Sequence, residues 1–325
     1  VRDVVRWMDE VLWQDDARGF SGSQDADEHY YALDATGRAA HSAPSVDRTL
    51  YTGWNALAAS AYLAAWAATG EPVGEDALED RAHAAIATLS TRMRGDDGAV
   101  MHFDDGSGPR VGDLLSDLAA LLVAHLDAYE TGLHPGALAG ARAVARRMRD
   151  RLEDPEHGGF YDAPEREELG RVVRREKPIE EGALAAEGLL RLAALTGEEE
   201  WRESAIRSLR GFVGEYRQWG QFAAGYAVAV ARALTEPVVV SVVGPLGDGG
   251  ATDLWRVARA GDDPARGLHR LVPGRDDERL AALGYSPDRA AAYVCVGTVC
   301  SAPLASPEAL RAELVRARAR LERTE

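Results

Sequence analysis

Lysine is almost missing from this chain: Lys177 is the only one. Basic charge is short in general, because 37 Lys and Arg stand against 53 Asp and Glu and leave a formal net charge of -16 at pH 7. A summed field of that sign repels nucleic-acid phosphates and anionic lipid heads, so no nucleic-acid partner is expected. Cysteine is scarce as well. Cys295 and Cys300 are too few for a disulfide framework and lack the two-residue gap of a redox Cys-x-x-Cys. Five apart on an extended strand they point to opposite faces, and a disulfide between them needs a turn, so buried thiols are expected. A reduced, cytoplasmic setting follows. No apolar run approaches the roughly 18 to 20 residues of a membrane span, and the first residues show no signal-peptide pattern, so no membrane partner is expected. The chain also starts without Met, inside what reads as a helix, as the C-terminal part of a longer protein would.

What is present is apolar and periodic. With 46% hydrophobic residues in 325, the chain can bury one large core, or one large and one small. Four segments keep a one-face helical spacing. They are Trp54, Leu57, Ala58, Ala61, Ala65; Leu115, Leu118, Leu122, Leu126, Tyr129; Ala141, Val144, Ala145, Met148, Leu152 with Arg142, Arg146 and Arg149 opposite; and Ala205, Leu209, Phe212, Val213. Segments near 1 to 13, 76 to 93, 182 to 196 and 220 to 234 bring the expectation to about eight helices joined by short Gly- and Asp-bearing turns.

The turns repeat a phrase. "DDARGFSG" (15 to 22), "RGDDGAVMH" (94 to 102) and "PEHGGFYDA" (155 to 163) each follow a helix with an acidic residue, a Gly and then apolar or aromatic residues. Such a Gly ends a helix in a left-handed turn, and the residues after it can form a short hairpin. Repeats about 60 to 80 residues apart argue against a short-period solenoid and for a closed ring of helical hairpins. After Pro237 the pattern changes to strand candidates at 238 to 244, 267 to 272 and 290 to 297, with helices near 251 to 260 and 306 to 323. Residues 1 to 236 thus read as the helical part and 237 to 325 as a small α/β unit.

Four phrases in order, "GFSGSQDADEHYYALD" (19 to 34), "PSVDRTLYTGWNALAASAYLAA" (44 to 65), "HGGFYDA" and "AAYVCVGTVCSAPLASPEAL" (291 to 310), resemble the family of the bacterial YyaL proteins and vertebrate spermatogenesis-associated protein 20. The resemblance covers nearly the whole chain, but only the toroid and tail of that family. It implies a mainly α fold, an (α/α)6-type toroid of the six-hairpin glycosidase kind, incomplete at its N-terminus, with the small C-terminal α/β unit. It also implies a thioredoxin-like domain as partner, N-terminal in the same protein or on a separate chain. Gln24-Asp25-Ala26-Asp27 matches the family's Asp-Ala-Asp, Tyr30-Tyr31 its aromatic pair, and Gly53-Trp54-Asn55 its Ser-Trp-Asn-Gly. Ser116-Asp117-Leu118-Ala119 stands where the family has Asp-Asp-Tyr-Ala, and Glu180 to Leu184 is a weak match to its Pro-Ser-Gly-Asn-Ser.

The candidate chemistry follows from these residues. A toroid leaves a cleft at one end, where convergent polar groups bind ligands. Glycoside hydrolysis by inversion needs two carboxyls about 6.5 to 9.5 Å apart. Asp25 and Asp27 share one face of an extended stretch, so the opposed carboxylate is Asp117, which falls on the apolar side of its helix, or there is none. The plainer readings are a local turn for Asp25 and Asp27, and a loop cap or Arg pair for Asp117. Gln24, Tyr31, Trp54, Asn55 and Tyr226 are candidate saccharide contacts, with a core Trp, an Asn cap and ordinary packing of Tyr226 and Phe222 as the alternatives. His29 and His102 are candidate proton carriers of a sugar epimerase, or plain loop histidines. The eight histidines have no metal-ligand spacing, and neither metal nor cofactor is expected. The Gly-rich 244 to 252 lacks Gly-Lys-Ser/Thr and reads as a strand-to-helix turn. Two functions result: a carbohydrate-active or carbohydrate-binding toroid with a carboxylate-lined cleft, or a non-catalytic scaffold packing on a thioredoxin-like partner.

Overall fold

The computed structural model describes residues 1–69, 78–165, 174–260 and 266–321. Residues 76 and 77 of one expected helix, and 322 and 323 of another, lie outside the described residues. The chain divides into two compact units, Val1–Ala124 and His125–Glu325. No helix among the described residues is long and apolar enough to cross a membrane.

In the first unit, α1 (Arg2–Trp7) continues through a π-helical turn, Met8–Leu12, into β1 (Trp13–Gln14), which pairs with β2 (Gly19–Phe20). β3 (Ser23–Gln24) is followed by two one-turn helices that the periodicity did not reveal, α2 (Glu28–Ala32) and α3 (Ala35–Ala39), and by β4 (Val46–Asp47), antiparallel to β3. Both helices start at an Asp: Asp27 and Asp34 accept the Tyr30 and Gly37 backbone N–H groups, so capping rather than an apolar stripe marks them. β5 (Leu50–Tyr51) runs directly into α4 (Thr52–Thr69), against which α5 (Leu78–Thr91) packs. β6 (Met101–Asp104) lies between β5 and β7 (Arg110–Gly112) in a three-stranded antiparallel sheet. Helix α6 (Leu115–Glu130) begins in this unit and ends in the next.

The stripe expected to pack on α4 is not its buried face. Trp54 is 56% exposed and Leu57 50%, while Asn55, Ala56, Ala59, Tyr62 and Leu63 turn inward. This helix is so rich in Ala that two of its faces read alike by periodicity. Hydrogen bonds from Thr52, Gly53 and Asn55 at its first turn select the buried one. On α6 the expected stripe of Leu115, Leu118, Leu122, Leu126 and Tyr129 is buried.

In the second unit, α7 (Ala137–Leu152) buries Ala141, Val144, Ala145, Met148 and Leu152. Helix α8 (Ile179–Thr196), ended by the left-handed Gly197, packs against α9 (Glu199–Arg210) and α10 (Ala224–Leu234). Val213, expected to pack with Ala205, Leu209 and Phe212, is 61% exposed, because α9 ends at Arg210 and helical spacing lapses there. The tail consists of β8 (Val238–Val243), α11 (Gly249–Arg259), β9 (Arg266–Leu271), α12 (Asp277–Leu283), β10 (Ala291–Val296), β11 (Val299–Cys300) and α13 (Pro307–Leu321). The sheet order is β11-β10-β8-β9, with β8 and β9 parallel and the other pairs antiparallel. Val238, Val240 and Val242 pack with Leu254 and Leu310 on one face, and Val243 with Leu271 and Tyr285 in a second cluster. A strand covered on both sides reads as a near-continuous apolar run, as β8 does with Ser241 its one polar residue. The Gly-rich loop after β8 is a turn: Asp248 caps α11 by accepting the Ala251 N–H at 2.7 Å.

Buried polar groups pin this sheet to the helices of its own unit. Arg191 on α8 donates to Asp127 and Glu130 at 2.6 Å each, and Glu130 accepts the Leu268 N–H of β9. The Tyr129 hydroxyl meets His269 Nδ1 at 2.6 Å, and burial pushes His269 down to about 3, so the ring stays neutral. Cys295 and Cys300 are joined in a disulfide, contrary to the expected thiols. A turn through Gly297, at φ +55°, folds β11 back on β10 and sets the two cysteines directly opposite.

The contrast between α4 and α6 is measurable. Leu122→Ala empties a fully enclosed site and is expected to cost about 2 to 5 kcal/mol in urea unfolding. Leu57→Ser on the open face of α4 is expected to stay within about 0.5 kcal/mol of the parent. A loss of several kcal/mol at Leu57 would contradict the burial described for α4.

Candidate functional site

The first turn of a helix leaves backbone N–H groups without partners, and the site is built on one of them. Thr52, where β5 becomes α4, donates its hydroxyl to the Met101 carbonyl and so fixes β6 beside the helix start. The next N–H, of Gly53, donates to Asp117 Oδ1 at 2.8 Å. A Cβ at position 53 would lie 3.0 Å from that oxygen, a tight contact that glycine avoids. Asp117 sits in the first turn of α6, 1% exposed, and its other oxygen, Oδ2, is 2.9 Å from His102 Nδ1.

A buried carboxylate with both oxygens engaged fixes the imidazole. With Nδ1–H donating to Asp117, Nε2 points away from the pair and has no hydrogen-bond partner among the described residues; the His102 side chain is 32% exposed. The hydrogen bond to Asp117 raises the His102 pKa above its ordinary value. Burial raises that of Asp117, against the downward pull of His102 and the Gly53 N–H. The two titrate as a coupled unit. Around them is an aromatic wall: Tyr51 lies 5.7 Å from the His102 ring and 4.5 Å from Trp54, centroid to centroid. β7 and its connection to α6 are strained, because Val111 and Asp113 hold φ of +59° and +60° without being glycine. Asp113 anchors it by accepting the Val100 N–H at 3.1 Å and donating its own N–H to the Val100 carbonyl at 2.8 Å.

The remaining candidates are placed as follows. Gln24 on β3 donates its amide to the Pro44 carbonyl. Asp25 and Asp27 are exposed; the first accepts the Ala26 N–H and the second caps α2. His29 is exposed with its ring 5.8 Å from His41, and Tyr31 is half exposed beside Arg38. Asn55 is buried: its oxygen accepts the Phe20 N–H at 2.6 Å, and its amide donates to the Phe20 and Tyr51 carbonyls. It clamps β2 to the start of α4. Tyr226, in the second unit, is buried against Phe212 and Tyr216 with its hydroxyl donating to the Leu209 carbonyl. So the structure brings together Asp117, His102 and, through Tyr51, Trp54. Sequence reasoning missed Tyr51 and the Gly53 N–H. The only available signal was a strand running into a helix without a loop, which puts Tyr51 three residues before Trp54. No group of three or more His, Cys, Asp or Glu is positioned to hold a metal ion among the described residues.

No protein-family model matches the chain, and no curated protein sequence does. Among solved structures, a sugar epimerase from a ruminal bacterium matches with a TM-score of 0.50 at 16% identity, over 66% of this chain and 52% of its own. A cellobiose 2-epimerase from Spirochaeta thermophila DSM 6192 matches at 0.48 and 18%, over 64% and 50%. A family 76 glycoside hydrolase (mannosidase) from Bacteroides thetaiotaomicron VPI-5482 matches at 0.45 and 15%, over 53% and 46%. Only the first likeness is strong enough to use, and at that identity it speaks to the fold alone, which is mainly α and of the α/α-toroid class with small sheets. The chain spans about half the length of these proteins.

The His102–Asp117 coupling has a direct readout. In an NMR titration His102 is expected to titrate above the ordinary histidine value of about 6.5, and Asp117→Asn to bring it back down. Because the folded pKa is raised, the stability His102 contributes is complete below about 6.5 and is lost as pH rises through the folded pKa. An unchanged His102 titration in Asp117→Asn would refute the coupling.

Proposed function

We propose that the first unit carries a carbohydrate-active site in which His102 is the proton carrier, Asp117 orients it, and Trp54, backed by Tyr51, is the platform for a sugar ring. The observation that carries this reading is the division of the buried Asp117 carboxylate between the Gly53 N–H and His102 Nδ1, which leaves Nε2 free. A base held in this way can take the proton from the carbon next to the carbonyl of an open-chain aldose and return it, while Asp117 steadies the imidazolium. Epimerisation or isomerisation of a reducing sugar fits better than glycoside hydrolysis. Inversion needs a carboxylate free to activate water, whereas Asp117 has no idle oxygen and Asp25 and Asp27 bond local backbone. A solved sugar epimerase that shares the fold agrees with the reading without supplying residues. Membership of the YyaL-type family, a toroid part ending near residue 236, a thioredoxin-like partner and a cytoplasmic location belong to the same proposal.

The test is exchange of the C2 proton. Wild type in deuterium oxide with a panel of reducing mono- and disaccharides is expected to incorporate deuterium at C2, followed by NMR. His102→Gln and Asp117→Asn should slow this by about a hundredfold or more, while Trp54→Ala should raise KM more than it lowers kcat. Failure of the wild type to exchange any sugar of the panel removes the enzyme reading.

One observation favours the scaffold reading instead. Trp54 and Leu57 present an apolar face of α4 to solvent, as a helix docked on a partner would. Leu57→Asp is expected to abolish binding of a thioredoxin-like partner if this reading holds, and to leave sugar exchange intact if it does not.

A further inference from the structure

The disulfide between Cys295 and Cys300 has no part in the proton chemistry of the first unit. It links residues only five apart in sequence, on β10 and β11, which are already paired antiparallel, so it restrains the unfolded chain little. A simple staple is poorly placed there. The two sulfurs differ in setting. Cys295 is buried near the end of β10, whereas Cys300 lies on the exposed edge strand β11. The Tyr285 hydroxyl is 3.3 Å from Cys295 Sγ and 3.9 Å from Cys300 Sγ. Its ring is held by a stack on Tyr293, with centroids 3.8 Å apart and planes within 10°.

We propose that Cys295–Cys300 is a thiol–disulfide exchange site for a low-molecular-weight aliphatic thiol, with Tyr285 as hydrogen-bond donor to the leaving sulfur. The external thiolate attacks Cys300 Sγ, the sulfur open to solvent. A new S–S bond forms there as the Cys295–Cys300 bond breaks, and Cys295 leaves with the electron pair as a thiolate that accepts the Tyr285 O–H. A second external thiolate attacks the outer sulfur of the mixed disulfide and releases Cys300. Two external thiols are thereby oxidised to their disulfide, and the two cysteines take up two electrons and two protons. Burial raises the Tyr285 pKa and keeps the phenol protonated, so it remains a donor while negative charge develops on Cys295.

The experiment is anaerobic treatment of the folded full chain with reduced glutathione, rapid alkylation and mass mapping. Glutathione is expected on Cys300 with Cys295 alkylated, and Cys295→Ser treated with glutathione disulfide should accumulate the Cys300 adduct, its thiolate displacing one reduced glutathione. Tyr285→Phe keeps the ring stack and is expected to slow reduction about tenfold, the effect of roughly 1.4 kcal/mol of hydrogen bonding to the leaving thiolate. Circular dichroism and a thermal melt of that variant confirm that it is folded. The proposal is overturned by a disulfide that opens only when urea unfolds the chain, by an adduct on Cys295, or by a folded Tyr285→Phe reduced at the wild-type rate.

Discussion

A carboxylate removed from water must have its oxygens satisfied, and in the first unit that requirement falls on Asp117. One oxygen takes the orphan N–H at the start of α4, the other the Nδ1 of a histidine on β6. The consequences spread outward. Glycine at position 53 leaves the oxygen room to approach. The first turn of α4 is fixed in rotation, which buries Asn55 and Tyr62 and leaves Trp54 outside. His102 is left with one committed nitrogen and one free, the condition for moving a proton at a defined place.

The same device recurs where no chemistry is proposed. Asp154 accepts the backbone N–H groups of Glu156 and His157, the Tyr161 hydroxyl and the Lys177 ammonium, and so organises the "PEHGGFYDA" turn. The Lys177 hydrogen bond holds its carboxyl well below the usual range. The lone lysine of the chain is therefore engaged internally, with a second bond to the Gly158 carbonyl at 2.6 Å. In the first unit Asp104 accepts from Arg92 and from the Gly106 and Gly108 N–H groups at the β6–β7 turn. The acidic residues of the repeated phrases and nearby turns act as anchors for backbone that no strand or helix satisfies.

The repeated phrases were readable as hairpins, and each closes one. β1 pairs with β2, Arg94 bridges Val100, and Glu153 bridges Phe160. The left-handed residue is Gly98 in the second, and Gly158 with Gly159 in the third, but Arg18 rather than Gly19 in the first, so the phrase constrains the closure more tightly than its exact turn. Of the site, Asp117 was readable as a buried acid because it interrupts a leucine stripe. Its partner was not, since His102 lies fifteen residues away on a strand and no local spacing links them. Asp25 and Asp27 drew notice as close carboxylates, yet an Asp before a short helix is also a cap, and one sequence does not separate the two.

Composition and periodicity determined what depends on neighbours along the chain: the long helices α6 to α8, the strands of the tail, the turn phrases and the net acidic charge. Tertiary structure decided what depends on neighbours in space. It chose which face of the alanine-rich α4 is buried, because hydrogen bonds at its first turn outweigh nearly equal apolar faces. It paired Cys295 with Cys300, because a turn at Gly297 brings together two residues that an extended strand would hold apart. It also joined Asp117 to His102, because burial of a charge demands a partner and only the folded chain supplies one.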